Sequence, residues 1–138
     1  MGKRRKSREI AVQILYQIEI MEQTPEKGVK LFLNNFPVKD NVVDYAVELV
    51  YGIHKNLDEL DATIEKLSKH WKIDRMTLID RNILRLATHE MLNIKSVPKK
   101  VCINEALEIA KKFSAQDSSA FINGILDAVA KIKDTNES

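Results

Sequence analysis

Cysteine, proline, glycine and aromatic side chains are all scarce in this chain of 138 residues. The single cysteine, Cys102, excludes an intramolecular disulfide, and the apolar residues around it favour a buried, reduced thiol of a cytoplasmic protein. No apolar stretch approaches the roughly 20 residues that span a bilayer. The charged start is followed by an amphipathic segment instead of the apolar core of a signal peptide. We therefore expect a cytoplasmic protein that has no membrane partner.

Residue patterns typical of catalysis and metal binding are also missing. His54, His70 and His89 are scattered and lack the spacing of metal ligands. The cysteine has no neighbouring histidine that would make it a nucleophile. Gly52 and Gly124 stand alone, so no glycine-rich loop is available to hold a phosphate group. The sequence thus predicts a protein that is not an enzyme and that carries no cofactor and no metal.

Helix-forming residues dominate what remains, and the apolar side chains recur at helical spacing. No segment alternates with period two, so we predict an all-α fold of about seven helices and no sheet. Asp40, Asn56, Asp74 and Asp117 are the expected N-caps, and Thr24-Pro25 is expected to end the first helix. The predicted helices cover residues 7–21, 26–34, 40–55, 57–71 and 75–93, a sixth that begins near Pro98 and a seventh that follows Asp117.

The helix pattern has a break near Asn56. We predict a single domain, 1–138, built from two packed helical bundles. The expected subdomains cover about 1–56 and 57–133, followed by a frayed polar tail at 134–138.

Positive charge is concentrated at the start of the chain. The whole sequence has 22 basic and 20 acidic residues, and it would be net negative without the five bases in its first eight positions. These five residues, called the basic arm below, are Lys3, Arg4, Arg5, Lys6 and Arg8. A cationic patch on a nearly neutral body is typical of a protein that binds phosphate backbones. A disordered, solvated terminus is the alternative, and charge alone leaves the two about equal.

Four sequence segments together resemble the NusB family of bacterial transcription antitermination factors. They are RRKSRE at 4–9, DRNILRLA at 80–87, INEA at 103–106 and NGILD at 123–127. The resemblance implies the all-helical NusB-like RNA-binding fold. It also implies a non-catalytic factor that binds boxA RNA as a heterodimer with ribosomal protein NusE. That pair acts on RNA polymerase indirectly, through the antitermination complex of ribosomal RNA operons.

The resemblance and the charge pattern together select candidate RNA-binding residues. The basic arm is expected to bind backbone phosphates of the RNA. The family pattern places an RNA-contacting aromatic at Phe121. Two roles stay open: Tyr16 either extends the cationic track or packs, and Asp117 is favoured as a helix cap over a base contact. A helical Phe is generically a core residue, but Phe121 lies off the apolar stripe of its helix, and the resemblance favours a partly exposed ring. The full set is Lys3, Arg4, Arg5, Lys6, Arg8, Tyr16, Lys111, Lys112, Gln116, Asp117, Ser118, Phe121 and Asn123.

The surface for the protein partner is predicted on the fourth and fifth helices. Asp80 matches a family position that contacts NusE, and Arg81 and Arg85 lie close to it in sequence. Arg85 has a structural alternative, which is to pair with a carboxylate between helices. Trp71 is either an interface anchor or a plug between helices, and the plug is favoured.

Two other functions remain open. One is an RNA-binding module related to the N-terminal domain of ribosomal RNA cytosine methyltransferases. The other is a purely protein-binding helical adaptor, in which the basic arm serves only solubility. The free protein is also a candidate homodimer.

Overall fold

A computed structural model describes residues 2–69 and 71–132. It contains α1 (Gly2–Met21), α2 (Pro25–Asn35), α3 (Asp40–Lys55), α4 (Leu57–Ser68), a 3-10 turn (Ile73–Arg75), α5 (Leu78–Asn93), α6 (Lys99–Phe113) and α7 (Ser118–Ala130). The described residues form no strand, so the predicted all-α fold with seven helices is confirmed. None of these helices combines the length and apolar character that crossing a bilayer requires. His70 and the tail at 134–138 lie outside the described residues.

The chain divides into two compact units, Met1–Lys55 and Asn56–Ser138. In the first unit, α1 packs against α3 and α2. The apolar faces that meet there include Ala11, Ile14, Leu49 and Ile53, all of which are fully buried. Burial of such aliphatic side chains is the main stabilising contribution to a bundle of this kind.

Helix α1 begins five residues earlier than predicted, so the basic arm is helical instead of disordered. The Ser7 hydroxyl lies 2.8 Å from the carbonyl oxygen of Val42 in α3, and its other short contact is with the Lys3 carbonyl at 2.9 Å. The guanidinium of Arg4 lies over the ring of Tyr45, 3.8 Å from its centroid. These contacts with α3 hold the first turns of α1 in place, which the local sequence did not reveal.

Thr24 and Pro25 follow the end of α1 at Met21, and they also form the start of α2. The Thr24 hydroxyl accepts a hydrogen bond from the Lys27 amide at 3.2 Å, and Pro25 occupies the first turn, where its missing N–H is harmless. Helix α1 closes with a bond from the Gln23 amide to the Ile18 carbonyl, and Glu22 between them has a φ of 51°. Helix α2 is therefore one residue longer at each end than predicted.

In the second unit, α5 is the central helix and packs against α4, α6 and α7. It begins at Leu78, not at Arg75, and its cap is Thr77, whose hydroxyl accepts from the Asp80 amide at 3.1 Å. Asp74 instead lies in the 3-10 turn that precedes α5.

Three other cap predictions differ in detail. Asn56 and Asp117 occupy the predicted cap positions but make no side-chain capping bond, and Asp40 is the first residue of α3 instead of its cap.

Candidate nucleic-acid interface

The basic arm presents different residues to solvent and to the core. Lys3, Arg4 and Lys6 are exposed and Arg5 is half-buried, whereas Arg8 is only 4% exposed. Arg8 lies on the same helix face as Arg4, and its guanidinium is 5.9 Å from the centroid of the Tyr45 ring. The predicted RNA contact by Arg8 does not fit this burial, because a phosphate does not reach a cation enclosed in the core. Arg8 packs beside Tyr45 and is expected to stabilise the helix that carries the basic arm. The positive charge that a ligand can reach is on the exposed residues of the arm.

Tyr16 lies two turns further along α1 and is 37% exposed. The side chain is therefore partly packed and partly at the surface, which is compatible with both roles predicted for Tyr16. Part of this residue is covered by the protein, and part of it remains available to a ligand.

The junction of α6 and α7 forms a second polar surface. Lys111, Lys112, Gln116 and Asn123 are all exposed there. The ammonium group of Lys111 lies 3.3 Å from the Glu108 carboxylate. Such exposed pairs contribute little and open readily, so this contact leaves Lys111 available to a phosphate.

Asp117 is exposed at the cap position of α7, and its side chain makes no capping bond. The capping role favoured from sequence is therefore wrong. Its carboxylate is left as a hydrogen-bond acceptor at the surface, which suits a base edge better than a phosphate.

An exposed aromatic pair lies beside this junction. Phe121 is half-buried, and Trp71 is 52% exposed. The two rings meet edge to face, with centroids 6.3 Å apart and planes at 81°. The plug role favoured for Trp71 is therefore wrong, and the partial exposure expected of Phe121 is found.

Two contacts with α4 fix the segment that carries Trp71. The Ser68 hydroxyl donates to the Trp71 carbonyl, and the Glu65 carboxylate accepts from the Ile73 amide at 2.7 Å. The aromatic pair borders a cleft of about 270 Å³, whose walls are Trp71, Arg75, Met76, Thr77, Asp80, Asp117, Ser118 and Phe121. A fixed, exposed aromatic surface of this kind is what an unpaired base stacks on.

Ser118 and Asp80 form a buried contact at the base of this cleft. The Ser118 hydroxyl donates to Oδ2 of Asp80 at 2.8 Å, and both residues are only 7% exposed. A negative charge at the start of α7 is favourable because of the helix dipole. The RNA contact predicted for Ser118 and the partner contact predicted for Asp80 do not fit this burial, since each side chain is engaged with the other.

Arg85 takes the structural alternative, not the predicted partner contact. Its Nε and Nη2 atoms donate to the two carboxylate oxygens of Asp61 in α4, at 2.7 and 2.8 Å. Its Nη1 atom donates to Asn82 at 3.1 Å. Arg81 is half-buried and donates to the Met76 carbonyl at 3.0 Å. Of the four predicted partner residues, Asp80 and Arg85 are buried, Arg81 is half-buried, and Trp71 is exposed.

Sequence reasoning missed three contributors to this site. Asp61 was not assigned as the partner of Arg85, because the two are 24 residues apart and nothing local links them. Arg75 and Thr77 line the cleft, although neither carries a signal beyond being polar residues before a helix.

Among the described residues, His54, His89 and Cys102 do not gather into a site. His54 is exposed, while His89 is buried with its Nδ1 atom 3.2 Å from the Asn93 amide nitrogen. Cys102 is a buried free thiol, as expected. Within residues 2–69 and 71–132, no group of three or more His, Cys, Asp or Glu side chains is placed to hold a metal ion.

Comparison with known proteins agrees with this architecture. The model of the NusB family matches residues 5–131. The transcription antitermination protein NusB of Acetivibrio thermocellus is 45% identical over 130 residues, which cover 94% of this chain and 90% of that protein. The NusB protein of Desulfatibacillum aliphaticivorans is 43% identical over 129 residues, with the same coverage.

Solved structures give the same result. T. maritima NusB has a TM-score of 0.86 and 34% identity, covering 96% of this chain and 94% of that one. A chain from the crystal structure of antitermination factors NusB and NusE in complex with dsRNA has a TM-score of 0.82 and 30% identity, covering 95% and 98%. The chain therefore belongs to the NusB family.

Proposed function

We propose that this protein is a non-catalytic transcription antitermination factor that binds single-stranded boxA-type RNA together with NusE. Family membership supports antitermination, and a related chain has been crystallised with NusE and dsRNA. The observation that carries the RNA-binding proposal is the partly exposed ring of Phe121, which Trp71 contacts edge to face beside a basic helix end. In the cell, the pair formed with NusE acts on RNA polymerase indirectly, through the antitermination complex, and promotes read-through in ribosomal RNA operons.

The proposed RNA site makes two kinds of contact, with backbone phosphates and with bases. The exposed bases Lys3, Arg4 and Lys6, together with Lys111 and Lys112, neutralise backbone phosphates and supply most of the affinity. Phe121 supplies stacking for a base, while Gln116, Asp117 and Asn123 offer hydrogen bonds to base edges. Stacking requires unpaired bases, so the proposal concerns single strands instead of duplexes.

NusE is proposed to use the exposed Trp71 as its anchor. A large exposed aromatic is the usual centre of binding energy in a protein interface. Arg85 and Asp80 act indirectly, since their buried contacts fix α5 against α4 and α7. A protein-binding adaptor that does not bind RNA is the second candidate, and the same exposed tryptophan supports it.

Fluorescence anisotropy with labelled RNA distinguishes these functions. The probes are a boxA RNA, a scrambled RNA of equal length and composition, and boxA paired with its complement, each titrated with and without NusE. We expect weak binding by the protein alone, tighter binding with NusE, and preference for single-stranded boxA. Equal affinity for boxA and the scrambled RNA in the presence of NusE contradicts specific recognition. An absence of salt-dependent RNA binding favours the adaptor. Sedimentation of the free protein at the same concentrations reports whether it self-associates.

A further inference from the structure

A groove between the start of α1 and the α2–α3 connection has no assigned role. It encloses about 490 Å³, and its walls include Lys3, Lys6, Ile10, Pro37, Lys39 and Val42. Lys3 and Lys6 lie on one face of α1, three residues apart, and Lys39 faces them from the connection. The floor is apolar, since Ile10 and Val42 are buried.

The charge of this groove is of one sign. Three exposed lysines line it, and no acidic side chain is among the described residues that form its walls. Concentrated positive charge in a concave surface attracts a polyanion more strongly than the same charge spread over a flat one. Arg4, by contrast, is stacked on Tyr45, so the lysines are the members of the arm that face the groove.

An exposed aromatic residue lies next to the groove residues in the chain. Phe36 directly precedes Pro37 and is 56% exposed, the most exposed ring of its unit. Its ring lies against that of the buried Phe32, with centroids 4.8 Å apart, and its amide donates to the Phe32 carbonyl at 2.9 Å. The ring therefore packs against Phe32 on one side, while more than half of the Phe36 surface remains exposed to solvent.

We propose that this lysine groove and Phe36 form a further binding site for single-stranded RNA, in which Lys39 contacts a phosphate and Phe36 stacks on a base. A positive groove beside a fixed aromatic ring is the combination that binds single-stranded nucleic acid. An acidic peptide would match the lysines but would leave the ring without a partner. The proposal rests on the proposed function, because the groove shares Lys3 and Lys6 with the basic arm.

The test is anisotropy with the boxA RNA and NusE, comparing wild type with Phe36→Ala, Phe36→Leu and Lys39→Ala. Tyr51→Ala removes another exposed ring of the same unit, and Lys30→Ala removes another exposed lysine, so these two are matched controls. Loss of the stacked ring is expected to weaken binding about 5- to 100-fold. Lys39→Ala is expected to reduce the slope of log affinity against log salt by about 0.7. Both controls are expected to bind like the wild type.

The outcomes separate this site from the general function. Wild-type preference for boxA, with Phe36→Ala and Lys39→Ala indistinguishable from their controls, overturns the groove alone. No binding of the boxA RNA by the wild type overturns both. Loss of affinity for NusE without RNA in Phe36→Ala makes the patch a protein interface and also overturns it. Phe36→Leu keeps an apolar contact with Phe32, so weak RNA binding by this variant at an unchanged thermal midpoint is attributable to the lost aromatic ring.

Discussion

The indole of Trp71 stands edge-on to the ring of Phe121, and the two come from different parts of the second unit. Trp71 belongs to the segment held against α4, while Phe121 projects from the first turn of α7. Edge-to-face contact stabilises both rings in one arrangement. The aromatic surface is thus already in place before a ligand arrives, which lowers the entropy lost on binding.

Replacing Phe121 by alanine tests this surface. We expect RNA affinity to fall about 5- to 100-fold, because one base loses its stacking partner. The thermal midpoint should fall by only a few degrees, since the ring is half-buried. Anisotropy and thermal unfolding measure the two effects, with Tyr51→Ala as the control for an exposed ring. A large drop in the midpoint with unchanged RNA affinity would make Phe121 a core residue.

Residues of the basic arm are expected to fall into two classes, those that bind RNA and one that stabilises the fold. Lys3→Ala and Lys6→Ala are each expected to lower the slope of log affinity against log salt by about 0.7, since each removes one phosphate contact. Arg8→Ala should instead lower the thermal midpoint, because Arg8 is buried beside Tyr45. Lys66→Ala, an exposed lysine on α4, serves as the control. Salt slopes that do not change in either arm variant would exclude these lysines from the interface.

The pair formed by Arg85 and Asp61 should matter for stability. Arg85→Ala leaves a largely buried carboxylate without its partner, so we expect a loss of about 3 kcal/mol in the free energy of unfolding. Lysine cannot form the two-point contact, and Arg85→Lys should recover little of that loss. Lys111→Ala breaks the exposed pair with Glu108 and should change stability by less than about 0.5 kcal/mol. Urea unfolding measures all three, and equal stabilities would contradict the structural role of Arg85.

Replacement of glycine by alanine is expected to have opposite effects on stability at Gly28 and at Gly124. A Cβ at Gly28 would lie 2.4 Å from Cγ1 of Ile18, where α2 packs on α1, whereas a Cβ at Gly124 meets nothing within 4 Å. Gly28→Ala should therefore destabilise the protein by about 1 kcal/mol, the overlap outweighing the better helix propensity of alanine. Gly124→Ala should stabilise it by up to about 1 kcal/mol. In an Ile18→Ala background the overlap disappears, so the substitution at Gly28 should become neutral or stabilising; persistent destabilisation there would exclude the overlap as its cause.

The number and type of helices were predictable because apolar residues at helical spacing are a local signal. Ile14, Ile53 and Ile83 are all fully buried, on the faces that the spacing indicates. Helix ends were less predictable where distant contacts decide them. The first turns of α1 depend on the Ser7 hydroxyl and a carbonyl 35 residues away.

The exposure of the candidate site residues was predictable for those at the surface and not for the buried ones. Exposed bases and Phe121 follow from charge and from the family pattern. The roles of Arg85 and Ser118 depend on partners 24 and 38 residues away, Asp61 and Asp80, so sequence alone left them as surface candidates. Phe36 carried no family signal and became a candidate only through its exposure beside the lysine groove.

Amide chemical-shift mapping by NMR on the labelled protein in complex with NusE tests the central claim most directly. On addition of boxA RNA, we predict perturbation of the amides of residues 3–6 and of the α6–α7 region from 111 to 123, with much smaller changes for a scrambled RNA. Unperturbed amides in both regions, or equal perturbation by the two RNAs, would contradict recognition of boxA by these surfaces.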